Sequence, residues 1–293
     1  MNLPKVWPLN QISSTPPPRF LSGYVGFDQL MGGGIVKGSA LLIAGTPGSG
    51  KSTALMQLAF NWATLANQKV LYIAGEENKE QIKMRAVRLG VDSSKILLYE
   101  NTEVEAIIEK EEELKPDIII VDSLQTLYSK TLKTQIGSPT QIRNGLFTLI
   151  GLAKSKQITI VFIGHSTKGG YIGGLQTYQH MVDVTLYLDI DDIDHSRTLV
   201  SKKNRFGSID FVWELEMTEN GLIDPEHPFV FTQPVAEGEP RPNGRESITT
   251  TSTNRNVNLT EDQVERIIAD HPVWGFMVRA SMNFLKKEVQ KEL

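Results

Sequence analysis

No cysteine occurs among the 293 residues of this chain. That absence excludes disulfides, thiolate metal sites and cysteine nucleophiles, and makes the chain indifferent to redox compartment. No apolar run approaches the roughly 18 residues needed to span a bilayer. The N-terminal stretch has no apolar core of a secretory leader, so the expected setting is cytoplasmic, with no membrane partner. Positive charge is not in excess either: 30 Lys and Arg face 34 Asp and Glu, a net charge of −4. A wholesale polyanion binder is excluded, while a local basic groove remains compatible with an acidic whole. With 40% hydrophobic and 22% charged residues, the chain can build a sizeable core. Its length suits one large α/β domain with a small appendage.

Residues 1–19 are polar and proline-rich, and Thr15-Pro16-Pro17-Pro18 reads as a stiff extended entry. From residue 40 onward, apolar strands alternate with helical stretches, the pattern of a mostly parallel twisted sheet flanked by helices. Strands are expected over 40–44, 69–74, 95–99, 117–121, 158–163 and 184–188. Helices are expected over 52–66, 79–89, 103–114 and 139–154. Two further strands, 197–202 and 211–216, have no helix between them and read as a sheet edge. The core therefore runs over 20–230. Residues 231–258, rich in Pro, Gly, Ser, Thr and Asn, read as a flexible linker. Over 259–293, Thr260 and Gln263 give a helix N-cap signature, with Val264, Ile267 and Ile268 at helical spacing. A helical tail of about 35 residues is too small for a core of its own and is expected to dock on something, a protein partner included.

Gly45-Thr46-Pro47-Gly48-Ser49-Gly50-Lys51-Ser52 fits the P-loop pattern in full, after an apolar strand and before a helix, which is the context the motif requires. Glycines let backbone N–H groups curl round phosphates without a Cβ in the way, and the following helix aims its positive end at the same anion. The nucleotide site is expected over Gly45–Ser52 and on into Thr53. Lys51 reaches the β- and γ-phosphates, and the Ser52 hydroxyl holds Mg²⁺. The acidic partner is Asp122, at the end of the strand Ile118-Ile119-Ile120-Val121. ATP and Mg²⁺ are thus the expected ligands. Glu76 and Glu77 follow the strand 69–74 at the same sheet edge, where a carboxylate can activate water. A pair of acids also suits a helix N-terminus, and spacing does not choose between the two residues. His165, after a fourth core strand, is placed either to sense the γ-phosphate or to serve the structure alone.

Several stretches together resemble one family. They are Gly32-Gly33-Gly34, Gly75-Glu76-Glu77-Asn78, Gln81-Ile82-Lys83-Met84-Arg85, Val121-Asp122-Ser123-Leu124-Gln125-Thr126, Gly164-His165-Ser166-Thr167-Lys168 and His180-Met181-Val182-Asp183. The most particular is Lys203-Asn204-Arg205-Phe206-Gly207. Over about 19–224 the chain is similar to the bacterial RadA (Sms) branch of the RecA superfamily. The resemblance implies a RecA-like P-loop core that assembles as a homo-oligomer, a hexameric ring, with ATP between subunits. It implies Glu76 as the water-activating base and His165 as the link from γ-phosphate to DNA loops. Lys203 and Arg205 become a finger that enters the neighbouring subunit's site; the residue types alone also fit a plain basic turn between two strands. It further implies single-stranded DNA contacts from loops at about 129–141 and 168–177. The first carries Lys130, Lys133 and Gln141, with Arg143 nearby; the second carries Lys168 and Tyr171, a cation and a stacking ring.

This chain departs from that family at both ends: it has no four-cysteine zinc module and no Lon-like domain, which suggests a phage or mobile-element version. The expected activity is ATP hydrolysis, stimulated by DNA, in branch migration, annealing or helicase work. A DnaB-like replicative helicase is a sibling reading. A KaiC-like regulatory ATPase that does not touch DNA is a reading of another class.

Overall fold

The computed structural model describes residues 6–165, 175–191 and 195–225. The expected linker and tail, with Lys168 and Tyr171, lie outside the described residues. Chain entry is formed by β1 (Arg19–Phe20), α1 (Val25–Leu30) and β2 (Ile35–Val36), with β1 and β2 paired antiparallel. The alternating part follows as β3 (Ala40–Gly45), α2 (Lys51–Thr64), β4 (Val70–Ala74), α3 (Lys79–Arg88), β5 (Ile96–Tyr99) and α4 (Val104–Leu114). It continues through β6 (Ile118–Asp122), α5 (Pro139–Lys156), β7 (Thr159–His165), α6 (Leu175–Gln179) and β8 (Val184–Ile190). Three strands close the described chain: β9 (Arg197–Asn204), β10 (Val212–Thr218) and β11 (Gly221–Ile223).

These strands form one sheet in the order β11-β10-β9-β8-β3-β7-β6-β4-β5. The strands from β8 to β5 in that order are mutually parallel, and β9 to β11 extend the sheet antiparallel. The parallel part explains the apolar runs: strands such as β3, β4 and β6 are buried on both faces, so neither face is free to be polar. Leu41 and Ile43 of β3 join a core with α1, α2 and α3. Ala40, Leu42 and Ala44 join another with α4, α5 and Tyr178 of α6. Helices thus cover both faces, as the α/β reading expects.

Caps define the helix ends. Ser138 accepts from the Gln141 N–H at the start of α5, whose Pro139 needs no N–H partner in the first turn. Asn78 and Gln81 form a reciprocal capping box on α3. α1 was not expected, being a single short turn and a half among glycines. Its Gly26 packs so closely under Trp213 that an added Cβ would lie 2.1 Å from the indole Cδ1.

Parallelism puts the ends of β3, β7, β6 and β4 along one edge. Register pairs Gly45 with His165 and Ala74 with Asp122. The P-loop, both acidic positions and His165 therefore line a single crevice at the carboxyl edge, where open parallel sheets bind ligands.

Candidate nucleotide site

The glycines of the loop take conformations that other residues resist. Gly48 has φ of +82° and Gly50, which caps α2, has φ of +103°. At Gly50 space adds a second reason, since a Cβ would stand 2.7 Å from Cε of Met217. No side chain caps α2. Its first-turn N–H groups therefore face the loop without an intrahelical partner, which is a ready-made anion site.

Three more groups suit an anion there. The Lys51 side chain is 4% exposed and its Nζ donates to the carbonyls of Gly45 (2.9 Å) and Thr46 (2.8 Å). Burial pushes its pKa down to about 8, against the opposing pull of Asp122 and Glu76. Thr46 Oγ1 and Ser49 Oγ are buried and have no hydrogen-bond partner. Orphaned donors and a desolvated ammonium converging on an uncapped helix end are what a polyphosphate would satisfy.

Asp122 is 6% exposed. The Tyr72 hydroxyl donates to its Oδ2 at 2.5 Å, and the Ser52 hydroxyl also hydrogen-bonds to its carboxylate. Burial raises the Asp122 carboxyl above its usual range despite those two hydrogen bonds. Among the described residues no cluster of three or more acids or histidines stands ready to hold a metal. Ser52 and Asp122 are instead a pair of oxygen donors beside the phosphate cradle. That suits Mg²⁺, which takes its remaining ligands from phosphate and water. Held by Ser52 and Asp122, such a cation would neutralise charge on a bound polyphosphate.

Geometry separates the two glutamates that spacing could not. Glu77 is taken by Arg85, which donates to both carboxylate oxygens. Glu76 turns to the crevice, where the Ser123 hydroxyl donates to Oε1. His165 Nε2 lies 3.0 Å from Oε1 and 3.1 Å from Oε2 of the same carboxylate. Glu76 is 40% exposed, so water can reach it. Tyr72, Ser123 and Arg85 were not singled out from sequence. Ser123 and Arg85 had a local signal, since both fall in stretches that carry the family resemblance; Tyr72 reaches Asp122 from the neighbouring strand and had none.

The finger residues lie elsewhere. The Asp183 N–H donates to the Ala40 carbonyl at the start of β3, and Arg205 NH1 pairs with Asp183 at 3.0 Å. Lys203 and Arg205 therefore sit at the amino edge of the sheet, about 17 Å from the P-loop at ~3.3 Å per residue of β3. Of the residues expected to meet DNA, Lys130 pairs with Glu103 at 2.7 Å, while Lys133 and Arg143 are exposed. Gln141 is a correction. It is 2% exposed, and its amide bonds the Ser129 N–H and the carbonyls of Ser129, Leu132 and Thr134. A side chain with its donors and acceptor spent on its own loop braces that loop and offers nothing to a strand.

Comparisons with known proteins agree with this fold. The family model described as "ATPase: KaiC" matches residues 21–117. DNA repair protein RadA of Haemophilus influenzae is 41% identical over 224 residues, 76% of this chain and 48% of that protein. RadA of Listeria monocytogenes is 40% identical over 235 residues, 80% of this chain and 51% of that protein. The chain carries a RadA-like ATPase core. A solved KaiC-like protein from Pyrococcus horikoshii shares the fold, with TM-score 0.59 at 20% identity, covering 71% of this chain and 98% of that one. The chain spans about half the length of the curated relatives it matches. Among the described residues, no helix of the RadA-like core is long and apolar enough to cross a membrane.

Proposed function

We propose that this chain is an ATP-hydrolysing factor of DNA repair or recombination, acting on single-stranded DNA as a homo-oligomeric ring of six with ATP between subunits. The observation that carries the reading is the separation of the finger motif from the P-loop. Lys203 and Arg205 occupy the opposite sheet edge of their own subunit, so only a neighbour's ATP lies within their reach. Kinship with RadA over most of the chain supports DNA as the polymer engaged.

In this reading the loop amides, Lys51 and Ser52 hold the triphosphate. Glu76 takes a proton from the attacking water as its oxygen bonds to the γ-phosphorus, and ADP leaves with the bridging oxygen. Lys51 and the arriving Arg205 stabilise charge on the transferred phosphoryl group. Arg205 has donors to spare for this. Lys203 must first exchange the carbonyls of Gln179, His180 and Val182 for phosphate oxygens. His165, touching Glu76 and opening the 168–177 segment, couples the site to the DNA loops, where Lys130, Lys133, Arg143, Lys168 and Tyr171 meet the strand.

Mixed oligomers test the shared site. Arg205→Ala and Glu76→Ala are each expected to be inactive alone. Co-expressed in equal amounts, they recover about a quarter of wild-type turnover, since half the sites keep Glu76 and half of those face an intact finger. Mixed oligomers isolated through two tags that remain inactive would contradict the arrangement.

A further inference from the structure

The stretches 180–183 and 203–207 stand at the two ends of the β8–β9 hairpin and meet where Val184 pairs with Asn204. The Lys203 ammonium donates to the carbonyls of Gln179 (2.9 Å), His180 (3.1 Å) and Val182 (2.7 Å). That accounts for all of its donors. Asp183 is 3% exposed. Its Oδ2 accepts from the Ala40 N–H at 3.0 Å and from the Lys154 ammonium. Its Oδ1 accepts from Arg205 NH1 at 3.0 Å, and the Arg205 N–H donates to the Asp183 carbonyl at 3.1 Å. Burial alone would raise the Asp183 carboxyl, but the hydrogen bonds from Lys154, Ala40 and Arg205 hold it below its ordinary range. It stays an anion.

The turn is held from its other side as well. Asn204 Nδ2 reaches the Leu30 carbonyl at 3.3 Å, and Arg19 NH2 donates to the Phe206 carbonyl at 2.8 Å. Within this frame the Arg205 side chain remains 53% exposed. The pair is therefore one-sided, with a buried carboxylate and a guanidinium half open to water. Its effect is direction: one nitrogen is tethered, and the rest of the guanidinium faces outward.

We propose that Asp183 is a positioning residue for Arg205, and that the 179–183 turn is the mount from which the finger enters the neighbouring subunit's phosphoryl site. This rests on the trans arrangement proposed above. A guanidinium oriented before the subunits meet spends none of the transition-state interaction on its own ordering.

Asp183→Asn keeps the shape and one acceptor oxygen, and removes the charge that draws Arg205. The variant alone is expected to lose about ten- to a hundredfold in turnover, with nucleotide-analogue binding kept and the thermal midpoint lowered, because one acceptor oxygen cannot serve the Ala40 N–H, Lys154 and Arg205 together. Co-expressed with Glu76→Ala, it recovers activity as Arg205→Ala does, because the partner then brings a finger on an intact mount. A merely structural defect would damage its own ATP site and gain nothing from that partner. Turnover within about twofold of wild type, or a loss not restored where that of Arg205→Ala is restored, overturns the assignment. No restoration of Arg205→Ala itself overturns the trans arrangement, and this assignment with it. If Asp183→Asn does not fold, Arg19→Gln at the surface carries the test. It is expected to show a smaller loss with the same restoration, and no loss or an unrestored one overturns the proposal.

Discussion

Lys51→Ala is expected to abolish ATP hydrolysis, lowering turnover by about a thousandfold or more. Among the described residues, Lys51 is the cation that meets the loop, with its Nζ within 2.9 Å of the Gly45 and Thr46 carbonyls. In the absence of nucleotide those carbonyls hold an ammonium that burial has already pushed to about 8. Phosphate oxygens offer it full charge where the carbonyls offer dipoles, so the lysine favours the nucleotide-bound state strongly. The fold should survive, because α2 is anchored by Leu55, Met56, Leu58, Ala59 and Trp62 in the core. Steady-state phosphate release and thermal unfolding on the same preparation check both halves. Retained hydrolysis would remove the P-loop assignment.

Glu76→Gln and Glu77→Gln are expected to part company. Gln at 76 keeps the size of the side chain but cannot take a proton from water, and hydrolysis should fall by about 10²–10⁴-fold with nucleotide still bound. Gln at 77 gives up charge in the pair with Arg85, whose side chain is 16% exposed. Its cost should appear in the thermal midpoint, with turnover within about tenfold of wild type. Equal losses from the two variants would contradict the division that Ser123, His165 and Arg85 draw between them. Single-turnover hydrolysis, measured beside binding of a fluorescent ATP analogue, separates chemistry from affinity.

What could be read from residues alone follows the range of the interaction responsible. The P-loop is contiguous, and its glycines answer to local backbone conformation, so the motif is legible without any tertiary contact. Buried parallel strands such as Ile118–Asp122 announce themselves because both faces must be apolar. Helices α3 and α5 carry caps within their own sequence, and α2 follows directly from the P-loop motif. α1 and β2, by contrast, are short and flank Gly32, Gly33 and Gly34; α1 owes its form to packing on β10 and β2 to pairing with β1. The choice of Glu76 over Glu77 depends on Arg85 lying eight residues away on α3 and on Ser123 across the sheet. Gln141 misled for a related reason: its side-chain chemistry suits DNA equally well, and only the fold reveals that the surrounding loop consumes it. The join between 180–183 and 203–207 depends on the register in which β8 pairs with β9.

In the proposed function the phosphate site works in concert with single-stranded DNA. Its most direct test is steady-state ATP hydrolysis by the full chain, with and without single-stranded DNA, across a salt titration, with Lys51→Ala as the blank. Stimulation by DNA that fades as salt rises is expected, because phosphate contacts release counterions and weaken with ionic strength. Turnover indifferent to DNA at every salt concentration, with a silent Lys51→Ala blank, would leave an ATPase and contradict the DNA-coupled reading in favour of a regulatory one.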